Sequence, residues 1–238
     1  MTNKKVFAGK RILLVGATGA LGSAIAKTLS LQGAELFLAG RDASKLELIA
    51  SELEAIAISI DLSKIDSFDA AIDKISALDG IVYAAGVAPL SPVKYMQEKQ
   101  ISNCIQINTV SPLLLIRDLL RQKKIKKSAS IVLISSLIAS RGAAGYCAYA
   151  ASKGALEASA RCMALELASH KIRVNCLSPG MIESQMASEA GEQISEDILQ
   201  AHMNLYPLGI GYPQDVADAA TYLTVSYTHL TLPTNQCV

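Results

Sequence analysis

The 238-residue sequence predicts an α/β protein built on an open, doubly wound parallel sheet with helices on both faces. Six short apolar runs predict the strands, and a segment of helical composition separates each from the next. The runs are continuous rather than alternating, which is typical of strands buried on both faces. They cover residues 11–15, 35–40, 55–60, 80–86, 129–136 and 172–180. Right-handed βαβ units laid side by side give this sheet as a single domain.

The first unit carries a glycine-rich turn. RILLV (11–15) is followed by VGATGALG, which places Gly16, Gly19 and Gly22 between the first strand and the first helix. Backbone N–H groups and the helix dipole bind a pyrophosphate at such a turn, and glycine lets the phosphate approach the backbone. The pattern therefore favours a dinucleotide site over a tight turn without a ligand.

The end of the second strand indicates which dinucleotide is preferred. The strand ELFLAG (35–40) is followed by Arg41 and Asp42. A guanidinium at this place binds a ribose 2′-phosphate, whereas a carboxylate would bind a free 2′-hydroxyl. Arg41 favours NADP over NAD, while Asp42 either caps the next helix or turns toward the ribose.

Tyr149 and Lys153 lie four positions apart in GYCAYAASKGAL, and Tyr95 and Lys99 form a second pair with the same spacing. Residues four apart share one face of a helix. An ammonium beside the phenol should lower the tyrosine pKa from about 10 toward the working pH, as proton transfer requires. The alternative is a Tyr and a Lys on an amphipathic helix, and the spacing alone does not choose between the pairs.

Taken in order, these motifs resemble the short-chain dehydrogenase/reductase family over about residues 8–225. The resemblance implies a Rossmann-like, single-domain, NAD(P)-dependent oxidoreductase. The family's glycine turn, Thr-Gly-x-x-x-Gly-x-Gly, departs here by Val15 and Ala20. YAAG stands where the family has Asn-Asn-Ala-Gly, so Gly86 matches, while Tyr83 and Ala84 lack the structural amides.

The resemblance also chooses between the tyrosines. The family places a serine thirteen residues before its catalytic tyrosine; Ser136 stands thirteen before Tyr149, and nothing comparable precedes Tyr95. The implied catalytic residues are Ser136, Tyr149, Lys153 and Asn108, the last holding a water in a proton relay. The implied cofactor contacts are Gly16, Thr18, Gly19, Leu21, Gly22, Arg41, Asp61, Leu62, Ala85, Gly86, Tyr149, Lys153, Pro179, Gly180, Ile182 and Ser184.

The implied reaction passes hydride between nicotinamide and a small-molecule carbonyl or secondary alcohol. Tyr149 would protonate the developing alkoxide, Ser136 would orient the oxygen, and Lys153 would also hold the nicotinamide ribose. Residues 185–205 occupy the family's variable lid. Within the family, the chain resembles reductases of 3-oxoacyl thioesters on acyl carrier protein, and it equally resembles dehydrogenases of secondary alcohols, sugars or steroids.

Two other functions compete with this hypothesis. One is a non-catalytic NADP-binding redox sensor or scaffold, which would not need Ser136, Tyr149 and Lys153 together. The other is a serine hydrolase using Ser136, but LISSL lacks the G-x-S-x-G elbow.

Composition excludes several other classes. A net charge of +1 provides no broad field for nucleic acid. No apolar run approaches the roughly 18 residues of a membrane helix, and no secretory signal is visible, so we expect a cytoplasmic protein. The five cysteines suggest reduced thiols and no metal site. KKIKK (123–127) is expected to be a solvated loop, with docking of an acidic carrier protein as a weaker alternative.

The last segment differs from the rest. We expect residues 1–225 to form one domain and residues 226–238 to be an atypical tail. In place of the family's final strand the tail reads YTHLTLPTNQCV. We therefore expect it to be foreign or frame-shifted sequence, and a homodimer or homotetramer only where the true C-terminus is present.

Overall fold

The computed structural model describes residues 5–192, 200 and 203–225. Within them, six parallel strands form one sheet in the order β3-β2-β1-β4-β5-β6. The strands are β1 Arg11–Val15, β2 Glu35–Gly40, β3 Ile56–Ser59, β4 Leu78–Tyr83, β5 Ile125–Ile134 and β6 Arg173–Leu177. The predicted doubly wound parallel sheet is confirmed.

Helices alternate with the strands along the chain. They are α1 Ala20–Leu31, α2 Ala43–Glu52, α3 Phe68–Ile72, α4 Glu98–Ile105, α5 Ser111–Arg121, α6 Ile138–Arg141, α7 Cys147–Leu167, α8 Gln185–Gly191 and α9 Pro213–Thr224. A π-helical turn, Gln106–Val110, joins α4 to α5.

The core has two layers, one on each face of the sheet. One contains side chains of α3, α5 and α7, including Phe68, Leu115 and Leu156. The other contains side chains of α1, α2 and α9, including Leu29 and Leu46. Adjacent strand residues face opposite layers, so both faces need apolar side chains and the runs are continuous.

The bounds of β3, β4, β5 and β6 all differ from the predicted runs, and three of these differences are of three residues or more. β4 ends at Tyr83 rather than residue 86, and β6 ends at Leu177 rather than residue 180, because in each case the chain leaves the sheet before its glycine. β5 begins at Ile125, four residues before the apolar run. Part of KKIKK is therefore strand rather than loop, since Leu78 pairs with Ile125.

Because all six strands are parallel, their carboxyl ends lie at the same end of the sheet. The order reverses between β1 and β4, and a ligand of an open parallel sheet binds in the crevice at this point. The glycine turn after β1 and the chain after β4 and β5 meet here. The predicted tail, residues 226–238, and most of residues 193–202 lie outside the described residues.

Candidate active site

Two of the three glycines in the turn are required for steric reasons. Gly16 has a φ of +89°, and a Cβ there would lie 2.5 Å from the backbone nitrogen of Ala85. A Cβ on Gly22 would overlap the Gly16 carbonyl oxygen. These glycines allow the turn to touch the chain after β4 and allow α1 to begin close to β1.

Gly19 has no such reason within the protein. Its φ is −82°, and a Cβ there would meet only the Gly16 oxygen at 3.5 Å. Gly19 is the N-cap of α1, and no side chain caps this helix. Uncapped N–H groups beside a residue without a side chain fit a pyrophosphate, so the turn suits the predicted dinucleotide.

Asp42 is committed to the protein rather than to a ribose. Its side chain accepts a hydrogen bond from Lys45 N at 3.0 Å and caps α2. Arg41 is exposed at the carboxyl end of β2. Asp61 lies after β3, where hydrogen bonds from Ser63 lower its pKa and the charges of Lys64 and Arg41 act in the same direction.

Helix α7 brings the predicted catalytic pair together. The Lys153 Nζ lies 5.8 Å from the centre of the Tyr149 ring. Lys153 is buried and its Nζ donates to the Ile134 carbonyl at the end of β5, at 2.7 Å. Ser136, two residues beyond that carbonyl, is also buried, and its Oγ accepts from Ile138 N at 3.3 Å.

The pKa of Tyr149 is shifted in the direction opposite to the one that the sequence predicts. Burial raises the pKa of the Tyr149 phenol, and a hydrogen bond with the Ser136 side chain opposes this shift only in part. Burial also lowers the pKa of Lys153 to about 8. The prediction that Lys153 lowers the Tyr149 pKa was wrong for this structure, because loss of hydration by the phenolate is the larger effect.

The other tyrosine pair is not assembled. Tyr95 ends a short 3₁₀ turn, Val93–Tyr95, whereas Lys99 lies on α4, so the two do not share a helix. Tyr95 is 63% exposed, and Lys94 rather than Lys99 lies over its ring, at 4.7 Å. Spacing without a common helix carries no chemistry here.

Asn108 is fully buried in the π turn, and protein groups use its amide. Its Oδ1 accepts from Val87 N at 2.9 Å, and its Nδ2 donates to Val87 O at 2.8 Å and to Ser152 Oγ at 2.9 Å. The amide thus holds the chain just after β4 against α7. Its N–H groups are occupied by these partners, so only Oδ1 has capacity left for a water.

Gly86 lies between two of the predicted catalytic residues. A Cβ on Gly86 would lie 3.2 Å from Asn108 Oδ1 and 3.4 Å from Lys153 Nζ. The absence of a side chain therefore keeps the space beside these two polar atoms open. A short relay from Lys153 past Asn108 would pass through this space.

The loop after β6 reaches the carboxyl end of β5. Leu137 N donates to Pro179 O at 2.9 Å, and Gly180 lies against the Tyr206 ring. Ile182 pairs with Gly211, and Ser184 Oγ accepts from Ala187 N at 3.2 Å at the start of α8. Pro179 and Gly180 are thus beside the carboxyl end of β5, while the Ser184 hydroxyl caps a helix.

The remaining predicted cofactor contacts surround the same crevice. Thr18 and Leu21 belong to the glycine turn and the first turn of α1, Ala85 touches Gly16, and the Leu62 carbonyl accepts a hydrogen bond from Ser111 Oγ. Their roles toward a dinucleotide stay predictions.

Sequence reasoning missed two structural anchors of the site. The Tyr83 hydroxyl donates to the Ile107 carbonyl at 2.8 Å, so it ties β4 to the π turn where the family has an amide. Glu157 accepts hydrogen bonds from Ser135 and Ser178, both at 2.7 Å. A tyrosine ending an apolar strand and an acid one turn after Lys153 were the only signals, and neither identifies its partner.

The KKIKK segment (123–127) lies at the opposite end of the sheet, where β4 and β5 begin. Lys124 Nζ donates to Ile75 O at 2.6 Å, and Lys126 pairs with Asp79 at 2.7 Å, near the amino ends of β4 and β5. Two of its lysines thus stabilise the fold, and the segment is remote from the catalytic crevice. This geometry gives no support to carrier docking at KKIKK.

The sheet order, the glycine turn and the buried lysine beside a tyrosine are those of an NAD(P)-dependent oxidoreductase. The model of the short chain dehydrogenase family matches residues 10–195, and the chain belongs to this family.

Relatives of the chain are named as reductases and dehydrogenases. The chain is 32% identical over 224 residues to the 3-oxoacyl-(acyl-carrier-protein) reductase of Rickettsia typhi, covering 93% of this chain and 91% of the relative. It is 30% identical over 253 residues to the 2,3-dihydro-2,3-dihydroxybenzoate dehydrogenase of Bacillus subtilis, covering 99% and 97%. A crystal structure of a 3-ketoacyl-(acyl-carrier-protein) reductase from Brucella melitensis, complexed with NADH, matches with a TM-score of 0.80 and 26% identity, covering 91% of both chains.

No helix within residues 5–192 and 203–225 is both long enough and apolar enough to cross a membrane.

Proposed function

We propose that this enzyme reduces the keto group of a 3-oxoacyl thioester with NADPH, and that Ser136, Tyr149 and Lys153 carry the chemistry. One observation supports this most directly: Tyr149 and Lys153 share the buried face of α7 beside Ser136, at the edge where the glycine turn opens. The cofactor supplies the hydride when bound.

The three residues have distinct roles in this proposal. The Ser136 hydroxyl hydrogen-bonds the carbonyl oxygen of the substrate and fixes its position. The Tyr149 phenol donates its proton to that oxygen as negative charge develops on it. The raised pKa of Tyr149 suits this direction, because the phenol remains protonated at neutral pH and is ready to donate.

Lys153 and the space beside Gly86 serve the return of the proton. The buried ammonium, with its pKa lowered to about 8, stabilises the tyrosinate that is left after donation. The open space between Lys153 Nζ and Asn108 Oδ1 accommodates a water that carries a proton from solvent to Lys153. Asn108 then acts through its remaining Oδ1 lone pair.

The preference for NADPH over NADH is supported by the end of β2. Asp42 is used to cap α2, so it does not present a carboxylate to the ribose. Arg41 is exposed there and makes no described ion pair, so its guanidinium is available for a 2′-phosphate.

The 3-oxoacyl thioester is supported by the relatives named as reductases of this substrate, although the dehydrogenase of Bacillus subtilis acts on a cyclic diol. The non-catalytic sensor or scaffold finds no support, since both of these relatives are named as enzymes. We also propose a homodimer or homotetramer where the true C-terminus is present, which the exposed Leu165 and small side chains along one face of α7 favour.

A substrate panel tests the proposal. Acetoacetyl thioesters, simple ketones, a sugar ketone and a steroid ketone are each offered with NADPH and with NADH, and cofactor oxidation is followed at its absorbance. The proposal expects the highest kcat/KM for the thioester with NADPH. A higher value for another ketone would reassign the substrate, and a higher value with NADH would contradict the role of Arg41.

A further inference from the structure

Glu157 joins three parts of the active site. It lies one turn beyond Lys153 on α7 and is half-buried. Its Oε1 accepts hydrogen bonds from Ser135 Oγ and from Ser178 Oγ, each at 2.7 Å. Hydrogen bonds to a carboxylate are roughly twice as strong as neutral ones, so one side chain makes two strong contacts with distant segments.

The two serines stand immediately before groups that the reaction uses. Ser135 follows β5 and precedes Ser136, whereas Ser178 follows β6 and precedes Pro179 and Gly180. The backbone joins the same two segments, since Ser135 N donates to Leu177 O at 2.7 Å and Leu137 N donates to Pro179 O at 2.9 Å. Lys153 already joins the end of β5 to its own helix through Ile134 O, and Glu157 adds a second link there and a side-chain link from Ser178 to the same helix.

Ser178 depends on this link more than Ser135 does. Ser135 is 3% exposed and its backbone N donates to Leu177 O, while Ser178 is exposed and begins a loop. Loops that leave the sheet gain mobility when their side-chain contacts are removed. Loss of the Glu157 carboxylate should therefore release the Ser178–Gly180 segment first.

We propose that Glu157 is a positioning residue that holds the loop at Pro179 and Gly180 in the geometry that binds the nicotinamide cofactor. This inference rests on the proposed function for its assignment of that loop to the cofactor. Glu157 touches neither substrate nor cofactor in this account; it acts through Ser178 and Ser135.

The test is a calorimetric titration of the full chain with the cofactor, which needs no substrate. Glu157→Ala should weaken binding about ten-fold, the change that loss of one charge-assisted hydrogen bond produces. Glu157→Gln keeps an oxygen acceptor for both hydroxyls but loses the charge, so it should weaken binding by only about three-fold. Glu166→Ala, an exposed acid on the same helix, is the matched control and should leave the Kd unchanged.

A purely stabilising network would give a different result. Glu157→Ala would then lower the Tm but bind cofactor with the wild-type Kd, and that outcome would overturn the proposal. Equal weakening in Glu157→Gln and Glu157→Ala would also overturn it, because the acceptor would not be what matters. Should Glu157→Ala fail to fold, Ser178→Ala removes only the loop contact and is expected to weaken binding several-fold; an unchanged Kd there would refute the proposal.

Cofactor preference and the role of Glu157 are measured separately. The titration uses whichever of NADPH and NADH the wild-type chain binds more tightly. A preference for NADH would count against the proposed function, whereas the role of Glu157 is measured by the ratio of variant to wild-type Kd with that same cofactor.

Discussion

Asn108 and Val87 form a two-way hydrogen bond: the amide oxygen accepts from Val87 N at 2.9 Å, and the amide nitrogen donates to Val87 O at 2.8 Å. The side chain thus replaces a backbone partner at the point where the chain leaves β4. It holds the turn after Gly86 beside α7 and so shapes one wall of the crevice.

Replacing Asn108 with Ala should destabilise the fold. Both Val87 backbone groups and Ser152 Oγ would lose a buried partner, at a cost of about 3 kcal/mol in the free energy of unfolding. Urea denaturation gives this value. Asn103→Ala, an exposed change on α4, is the control and should stay within about 0.5 kcal/mol. A loss at Asn108 no larger than at Asn103 would contradict this role.

Gly86→Ala should lower turnover without unfolding the protein. The new methyl group would press on Asn108 Oδ1 and Lys153 Nζ, which must move by a few tenths of an ångström. Misplacement of catalytic atoms on this scale should reduce kcat about ten-fold. Gly154→Ala adds a methyl to α7 that would meet only Ala139 O, at an ordinary contact distance of 3.9 Å, and should be neutral or stabilising, by up to about 1 kcal/mol. Equal kcat in the two variants would refute the relay through this space.

Lys153→Met should stabilise the protein at pH 7 while abolishing activity. The Lys153 pKa is lowered to about 8 in the folded state, so at pH 7 the buried ammonium destabilises the fold. Removing this charge should raise the free energy of unfolding by about 2 kcal/mol, after loss of the hydrogen bond to Ile134.

The lowered pKa of Lys153 also predicts how the stability of the fold changes with pH. Between pH 8 and the ordinary lysine pKa of about 10.5, the unfolded chain binds a proton that the folded chain has lost, so this residue's contribution to stability rises with pH. Lys153→Met should lack that rise. A wild-type contribution that falls over this range, or a variant less stable at pH 7, would contradict the lowered pKa.

Arg41→Ala should reduce the preference for NADPH. Losing the guanidinium at the end of β2 should lower kcat/KM with NADPH by 10- to 100-fold, roughly one or two charge-assisted hydrogen bonds, and leave NADH within about three-fold. Lys27→Ala removes the same charge from the exposed surface of α1 and serves as control. Equal losses with both cofactors would show that Arg41 does not contact the 2′-phosphate.

The fold could be predicted from sequence because its strands are buried on both faces. β1 and β2 were predicted to the residue, since the first apolar run ends just before Gly16 and the second ends at Gly40. The start of β5 was missed because Lys126 and Lys127 are polar; Lys126 reaches Asp79 at the sheet end, a contact that local composition does not encode.

The site was predictable only where motif spacing reflects geometry. Tyr149 and Lys153 share a helix, so their spacing was informative, and the same spacing at Tyr95 was not, because a turn separates it from Lys99. The contacts of Asn108 with Val87 and of Glu157 with Ser135 join residues more than twenty positions apart. Such pairings depend on the packed sheet and helix, and one sequence does not reveal them.

The most direct test compares Tyr149→Phe with Tyr95→Phe. Each variant is assayed for NADPH oxidation with an acetoacetyl thioester, and NADPH binding is measured by fluorescence. We expect Tyr149→Phe to lose at least about 10²-fold in kcat, as removal of a general acid does, and to keep its NADPH affinity. Tyr95→Phe should stay within about two-fold of wild type, since Tyr95 is exposed and apart from the crevice. Turnover by Tyr149→Phe at the rate of Tyr95→Phe would contradict the assignment of Tyr149 as proton donor.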